Sequence, residues 1–226
     1  HRVHRRQRQM CIRDRRLSDV FAHPWNMTLG AIQDDSLVRE ISKRMAEQNK
    51  ALGIHFNFSP SVDVNNNSKN PIIGNRSFGE DPINVYKKAK AYIQGHKDVG
   101  VYTSIKHFPG HGDTDKDSHK TLPVISGNMK RLNNVELFPF KRLIEDGLAE
   151  SVMLAHLSVP AIDKKYPSSL SYKTVGKLLR EEYNFDGITV TDALDMKGVL
   201  QDPAINVDLR SLSLIHISEP TRPFHI

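Results

Sequence analysis

The feature that most constrains the fold of this chain is a dense group of ionisable side chains that follows a predicted buried strand. Residues 101–108 read VYTSIKHF, a short run with β-branched and aromatic residues that we interpret as a buried strand. Residues 106–119, which begin within this run, contain three histidines and three aspartates. Because burying that many ionisable groups without partners is costly, we predict a functional loop at the carboxyl end of a strand, where α/β proteins carry their chemistry.

Strand and helix patterns alternate along the rest of the chain. Predicted strands cover 101–107, 151–157 and 186–192, and residues 54–64 are predicted to be a strand that runs into a loop. Four helices are predicted in addition. The first is capped by Asp35 or Ser36 and ends near Gly53, and the second starts at Asp81–Pro82 and ends near Gly100. The third covers 135–146, and the fourth is capped by Ser171. This alternation favours parallel strands joined by crossover helices, in either a doubly wound sheet or a (β/α)8 barrel.

Polar residues lie at the predicted carboxyl ends of four strands, namely Asp63, Lys106 with His107, His156 and Asp192. A barrel brings such ends together at one mouth, and no strand is followed by the glycine-rich phosphate loop of a dinucleotide-binding fold. We therefore predict an α/β fold of the TIM type. Because a complete barrel needs about 250 residues, we expect a partial (β/α)8 barrel whose first and last strands are missing.

Both ends of the chain differ in character from its body. Residues 1–15 and 212–226 resemble translated sequencing-adapter sequence, so we predict a foreign leader and a foreign tail around a body of residues 16–211. The whole chain has a formal charge of +6, of which residues 1–15 supply +5 through six arginines and one aspartate and residues 212–226 supply zero, leaving +1 for the body. The basicity therefore gives no reason to expect a nucleic-acid partner, although a basic N-terminal arm is the alternative interpretation.

Cysteine content and hydropathy leave the compartment open. The single cysteine, Cys11, falls in the predicted leader, so we expect no disulfide in the body. No apolar run reaches the roughly 18 residues of a membrane span, and no secretory signal is visible. A bacterial cytoplasm, a periplasm and a cell envelope are all compatible with the sequence.

Three sequence motifs follow one another along the body. Residues 75–79 read NRSFG, residues 106–114 read KHFPGHGDT and precede DSH at 117–119, and residues 191–196 read TDALDM. Together they resemble the β-N-acetylglucosaminidase branch of glycoside hydrolase family 3, over about Arg16 to Val199. The resemblance implies the N-terminal barrel domain of that family for residues 16–211.

Asp192 is the predicted nucleophile. It ends an apolar strand and so is expected at the barrel mouth, and a carboxylate can attack an oxocarbenium-like carbon and later leave. From its position alone, an aspartate that caps the next helix is an equally good interpretation, and Asp195 is a nearby rival. The resemblance favours Asp192 as the nucleophile.

His119 is the predicted general acid/base, with Asp117 as its partner. The resemblance implies this pair in place of the second carboxylic acid that most glycosidases use. An imidazole titrates near pH 6.5 and can therefore give up a proton and take one back near neutrality. Asp117 lies two residues earlier and can hold one ring nitrogen. An exposed loop histidine beside a turn aspartate is the alternative.

The resemblance also implies that Arg76, Lys106 and His107 contact hydroxyl groups of the sugar in the first subsite. Arginine and lysine supply hydrogen-bond donors that stay protonated at neutral pH. A surface salt bridge for Arg76 and a barrel-interior ion pair for Lys106 are the alternatives that the residues leave open.

The function implied by the resemblance is that of a retaining exo-β-N-acetylhexosaminidase, which removes terminal β-linked N-acetylglucosamine from cell-wall or chitin-like saccharides, as in peptidoglycan recycling. It implies a small carbohydrate substrate and no cofactor, and leaves the oligomeric state open. A family 3 phosphorylase is the nearest alternative, and a β-glucosidase is a further one. The chain as written is expected to be inactive and poorly folded, because an open slice of a barrel exposes strand edges.

Two alternatives belong to other functional classes. His107, His111, Asp113 and His119 offer ligands for a metal-dependent hydrolase, although zinc-binding histidines more often occur as close helical pairs. A non-catalytic carbohydrate-binding barrel would keep Arg76 and Lys106 and lose a catalytic residue, and the sequence shows no such loss.

Overall fold

The computed structural model describes residues 21–114, 122–194, 196 and 217–218. The predicted acid/base pair Asp117 and His119 and the rival nucleophile Asp195 fall outside these residues. The helices are α1 Asn26–Gly30, α2 Asp35–Ala51, α3 Pro82–Val99, α4 Met129–Asn134, α5 Phe138–Glu145 and a π-helix Lys173–Glu182. The strands are β1 Phe56–Asn57, β2 Tyr102–Phe108, β3 Ser151–Leu154, β4 Ile188–Thr191 and β5 Ile217–Ser218.

The described strands form one sheet in which every pair is parallel and the spatial order is the chain order, β1-β2-β3-β4-β5. The predicted α/β fold with a parallel sheet is therefore confirmed. A doubly wound sheet reverses its strand order at a switch point, whereas this order continues in one direction, as it does in a barrel. Closure into a partial barrel with missing end strands stays a prediction.

Local sequence signals explain both ends of α3. The carboxylate of Asp81 accepts hydrogen bonds from the backbone N–H groups of Ile83 and Asn84 at the start of α3, and Pro82 occupies the first turn. Gly100 ends this helix with φ of 75°, a left-handed conformation that favours glycine. The end of α3 near Gly100 and its start at Asp81–Pro82 were both predicted.

Three local predictions need correction. The cap of α2 is Asp34, whose side chain accepts from Ser36 N–H, and not Asp35 or Ser36. The helix predicted over 135–146 begins three residues later, at Phe138, because Pro139 lacks a backbone N–H and fits the first turn of a helix; the preceding helix α4 was not predicted. In the segment 54–64, predicted as a strand that runs into a loop, the strand is limited to the two residues of β1, and Pro60 in the loop cannot donate to a strand ladder.

The core lies between the sheet and the helices. All four residues of β3 are buried, which fits a central strand of a parallel sheet. Helices α2 and α3 pack directly against each other, and the hydroxyl of Ser42 donates to the backbone carbonyl of Tyr92 across their contact. This packing fixes α3, which leads directly into β2. It therefore helps to position the residues at the carboxyl end of β2.

The far edge of the described sheet involves the segment predicted to be a foreign tail. Residues Ile217 and Ser218 pair in parallel with Val190 and Thr191 of β4. The origin of residues 212–226 stays a prediction. None of the described helices is both long enough and apolar enough to cross a lipid bilayer.

The close contact of α2 with α3 at Gly95 generates a stability prediction. A Cβ at this position would overlap the carbonyl oxygen of Arg39 and come within 2.8 Å of the backbone nitrogen of Lys43. Alanine normally stabilises a helix by about 1 kcal/mol relative to glycine, but overpacking costs about 1–3 kcal/mol. We expect Gly95→Ala to lower the free energy of unfolding of the full-length protein by about 1–2 kcal/mol in denaturant titrations.

The adjacent substitution Gln94→Ala is the control, because position 94 is only partly buried. It should leave the unfolding midpoint within experimental error of the wild type. A Gly95→Ala variant at least as stable as the wild type would contradict the close helix packing.

Candidate active site

The site lies where the carboxyl ends of neighbouring parallel strands meet. Asp63 follows β1, His107 lies near the end of β2, His156 follows β3 and Asp192 follows β4. The structure joins these residues in two pairs: Asp63 contacts His107, and His156 contacts the backbone at Asp192. The convergence of these strand ends was predicted, whereas the individual pairings were not.

The carboxylate of Asp63 is the centre of the first half of the site. It is 0% exposed, and its Oδ2 accepts from His107 Nδ1 and from the Ser61 hydroxyl, each at 2.7 Å. Its Oδ1 accepts from the backbone N–H groups of His107 at 3.2 Å and His111 at 2.7 Å. A buried charge is tolerated only when it is satisfied in this way.

These contacts determine the ionisation of Asp63 and His107. Burial raises the pKa of the Asp63 carboxyl, but the charge and hydrogen bond of His107, with smaller effects from His111 and Ser61, outweigh it and bring the pKa to about 2. Burial lowers the pKa of His107 below its usual value. Asp63 is therefore a fixed negative charge at neutral pH.

His107 links Asp63 to Arg76. Because a carboxylate only accepts, Nδ1 of His107 carries the hydrogen, and Nε2 is left as an acceptor. Nε2 lies 3.2 Å from Nη2 of Arg76, which donates to it. The Arg76 backbone carbonyl in turn accepts from Asn26 Nδ2 at 2.7 Å. Two of the three predicted sugar-binding residues are thus brought into direct contact.

Lys106, the third predicted sugar-binding residue, immediately precedes His107 on β2 and is half-buried. The peptide bond between the two residues is cis. Lys106 is near enough to contribute to lowering the pKa of the Asp192 carboxyl. Its positive charge therefore acts on the carboxylate at the end of β4.

The segment 109–114 leads towards the predicted acid/base pair, and it packs closely against Asn70 and Val64. The amide of Asn70 donates to the backbone carbonyls of His111 at 2.7 Å and Gly112 at 3.1 Å. A Cβ on Gly112 would overlap the carbonyl of Val64, so only glycine fits there. Burial, and then the neighbouring His107, lower the pKa of His111 to about 4, so this histidine is neutral at pH 7.

Asp192 is half-buried at the end of β4, and its carboxylate is held on one side. Oδ1 accepts from the Ala193 N–H at 2.8 Å, and the Asp192 N–H donates to the carbonyl of Leu154 on β3 at 2.9 Å. Oδ2 accepts no hydrogen bond from the residues that the structure describes. Burial raises the pKa of Asp192, but His107 and His156, followed by the Ala193 N–H and Lys106, lower it below its usual value. The group is an ionised carboxylate whose Oδ2 is free of hydrogen bonds from the described residues.

The described parts of the chain contain no cluster of three histidine, cysteine, aspartate or glutamate side chains positioned to hold a metal ion. His107 and His111 use their Nδ1 atoms for Asp63 and Thr114. His119, the further candidate ligand, lies outside the described residues.

Two site residues were noticed in the sequence only as polar strand ends and received no role. Asp63 organises the first half of the site, and His156 contacts the backbone of Asp192. Their position at strand ends was the available signal, since the partners of each are distant in sequence.

Comparison with known proteins gives the family. The model of the N-terminal domain of glycosyl hydrolase family 3 matches residues 13–212. A curated relative, beta-hexosaminidase A of Pseudoalteromonas piscicida, is 38% identical over 188 residues, covering 77% of this chain and 31% of the relative.

Solved structures agree with this match. A family 3 beta-N-acetylglucosaminidase from Paenibacillus sp. str. FPU-7 is 41% identical with a TM-score of 0.81, covering 84% of this chain and 36% of that protein. A beta-glucoside phosphorylase is 31% identical with a TM-score of 0.78, covering 82% of this chain and 35% of that protein. The chain thus spans about a third of the length of these three proteins. From the matched segment and the fold, the chain belongs to glycoside hydrolase family 3.

Proposed function

We propose that the protein to which this chain belongs is a retaining exo-β-N-acetylhexosaminidase with Asp192 as its nucleophile. The observation that carries the proposal is the carboxylate at the end of β4, with Oδ1 held by the Ala193 N–H and Oδ2 unoccupied by the described residues. The lowered pKa of this carboxyl keeps it ionised at neutral pH, as a nucleophile requires. Relatives named beta-hexosaminidase support the activity.

The proposed reaction is a double displacement. Oδ2 of Asp192 attacks the anomeric carbon while the glycosidic bond breaks, and the leaving oxygen takes a proton from the His119 imidazolium. A water molecule then attacks the glycosyl ester, gives its proton to His119 and releases Asp192. Two inversions at the same carbon give net retention, and Asp117 stabilises the imidazolium and fixes its orientation.

The first half of the site is suited to holding the sugar. Arg76 and Lys106 supply charged donors, and the Arg76–His107–Asp63 chain of hydrogen bonds fixes the direction of the guanidinium. Because rigid donors orient a substrate without being reordered on binding, we assign these residues to the hydroxyl groups of a terminal N-acetylglucosamine. Cell-wall fragments and chitin-like oligosaccharides are the proposed sources of this sugar.

A phosphorylase is the second candidate, because a beta-glucoside phosphorylase is among the similar structures. A neutral histidine repels an incoming phosphate less than a carboxylate would. Turnover in the presence of inorganic phosphate distinguishes the two activities: a hydrolase releases free sugar, and a phosphorylase releases the sugar 1-phosphate.

The nucleophile assignment is tested on the full-length protein with an aryl β-N-acetylglucosaminide. We expect Asp192→Ala to lower kcat by roughly 10⁴-fold or more, since no other carboxylate replaces the lost bond-forming group. An activated fluorosugar should label Asp192 covalently in the wild type, as read by peptide mass spectrometry.

Asp195→Ala is the matched control, because Asp195 is the neighbouring acidic residue in the same motif. It should keep most of the activity. Near-normal turnover by Asp192→Ala, or labelling at Asp195, would show that the nucleophile has been assigned to the wrong residue.

The acid/base assignment is tested with leaving groups of different acidity. We expect His119→Ala to reduce turnover of poor leaving groups by about 10²–10⁴-fold and to affect activated aryl glycosides much less, because a good leaving group needs little protonation. An equal loss on both substrates would indicate a role in binding or folding.

Asp117→Asn provides a second measurement of the same pair. The carboxylate of Asp117 favours the charged imidazolium, so its removal should lower the pKa of His119 and move the basic limb of the pH–rate profile to lower pH. An unchanged basic limb would show that Asp117 does not affect the pKa of the catalytic histidine.

Asp63 is expected to contribute both to the sugar site and to stability. Its folded pKa of about 2 lies below the value of about 3.9 in an unfolded chain. The carboxylate therefore stabilises the fold above about pH 4, and this contribution is lost as the pH falls towards 2. We expect Asp63→Asn to lower the free energy of unfolding at pH 7 by at least about 2 kcal/mol, with a gap to the wild type that narrows in acid.

Ser61→Ala is the control for this substitution, because it removes one of the donors to Asp63 and leaves the charge in place. It should cost less stability and keep most of the pH dependence of the wild type, because His107, which has the larger effect on the pKa of Asp63, remains in place. A constant difference between Asp63→Asn and the wild type from pH 7 to pH 3 would contradict the assigned ionisation.

A further inference from the structure

His156 makes hydrogen bonds that fix its tautomer. Its Nε2 lies 3.2 Å from the backbone carbonyl oxygen of Asp192 and 3.1 Å from that of Ala193. Both oxygens only accept, so Nε2 carries the hydrogen. Nδ1 is then the acceptor, and the hydroxyl of Ser169 donates to it at 2.7 Å. The imidazole thus accepts from Ser169 and donates to the strand end that carries Asp192.

The imidazole is held rigidly in this position. His156 is 1% exposed and Ser169 is 0% exposed. The adjacent Ser168 is tied to the end of β3, because its hydroxyl donates to the carbonyl of Ala155 at 2.7 Å and its N–H donates to the carbonyl of Leu157 at 2.8 Å. Burial lowers the pKa of His156, so the ring is neutral at pH 7 and brings a directed N–H rather than a charge.

One peptide group connects His156 to the carboxylate of Asp192. The peptide between Asp192 and Ala193 has its carbonyl oxygen bound by His156 Nε2–H, and its N–H donates to Asp192 Oδ1 at 2.8 Å. Because a peptide is planar, its C=O and N–H point in opposite directions and turn together. Holding the oxygen therefore also holds the N–H that restrains Oδ1.

We propose that His156 is a positioning residue: through the Asp192–Ala193 peptide it keeps Oδ1 bound to the Ala193 N–H and leaves Oδ2 directed for attack. This inference rests on the proposed role of Asp192 as the nucleophile. The bound N–H also stabilises negative charge on the carboxylate, which helps Asp192 leave when the glycosyl ester is hydrolysed. Ser169 acts on Asp192 only indirectly: its hydroxyl donates to Nδ1 of His156 and so selects the tautomer of that ring.

Two substitutions separate this role from simple filling of the core. The amide nitrogen of a glutamine overlays approximately on the Nε2 position of a histidine, and that of an asparagine on the Nδ1 position. His156→Gln therefore keeps a donor within reach of the Asp192 carbonyl, and His156→Asn does not. Both variants place a neutral polar side chain at a buried position, so their structural costs are similar.

The experiment measures kcat/KM of the full-length protein on aryl β-N-acetylglucosaminides with a range of leaving groups. We expect His156→Asn to lower kcat/KM by about 10²-fold, the usual effect of a small misplacement of a reacting group, and His156→Gln to recover at least tenfold of this loss. The loss should be the same for all leaving groups, because the general acid is untouched. Inhibition by free N-acetylglucosamine should be unchanged, because Arg76, Lys106 and His107 remain in place.

Ser169→Ala supplies an independent variant if the His156→Asn protein does not fold. It removes the donor to Nδ1 and leaves Nε2 in place, so we expect a smaller loss of kcat/KM with unchanged inhibition by N-acetylglucosamine. Equal losses in His156→Asn and His156→Gln, or weakened inhibition that accounts for the whole loss, would overturn the inference. So would full activity in both His156→Asn and Ser169→Ala.

The outcome also distinguishes this inference from the proposed function. A wild-type protein without turnover and without covalent labelling of Asp192 would overturn the proposed function, and the inference with it. An active wild type that is labelled at Asp192, with no difference between the asparagine and glutamine variants, would overturn the role of His156 alone.

Discussion

The buried carboxylate of Asp63 accepts hydrogen bonds from Ser61, from the backbone and ring of His107, and from the backbone of His111. A charge without water must find its partners within the protein, so the segment after β1, the end of β2 and the start of the following loop are held at one point. The orientation of His107, and through it that of Arg76, depends on this one ionised group. The half of the site that we propose to hold the sugar therefore depends on a residue that need not touch the sugar itself.

Much of the fold can be predicted from local signals in the sequence. Asp81, Pro82 and Gly100 define a helix through side-chain capping, a missing N–H and a left-handed turn, and each effect acts within a few residues. The alternation of strands and helices predicts the parallel sheet for a similar reason. The exact start of a helix is harder to predict: the helix expected from residue 135 begins at Phe138, with Pro139 in its first turn.

The site was predictable only in part. Strand-end position identified Asp192, His107 and Lys106, because chemistry in α/β proteins collects at that edge. The contacts of Asp63 with His107 and His111, and of His156 with the backbone at Asp192, were not predictable. They span 36 to 48 residues, and several involve backbone groups, which leave no trace in side-chain patterns. The roles of Asp117 and His119 still depend on the family resemblance.

The two halves of the site are built from separate stretches of chain that meet along the β2–β3 pairing. Phe108 is paired with Leu154, and the Ala155 N–H donates to the Phe108 carbonyl at 2.8 Å. These junctions are formed by backbone atoms, whose geometry is the same for almost any side chain. Amino acid replacements along the pairing can therefore accumulate during evolution while the spacing between the His107 and Asp192 sides of the site is preserved, so the same backbone frame can be carried by widely diverged sequences.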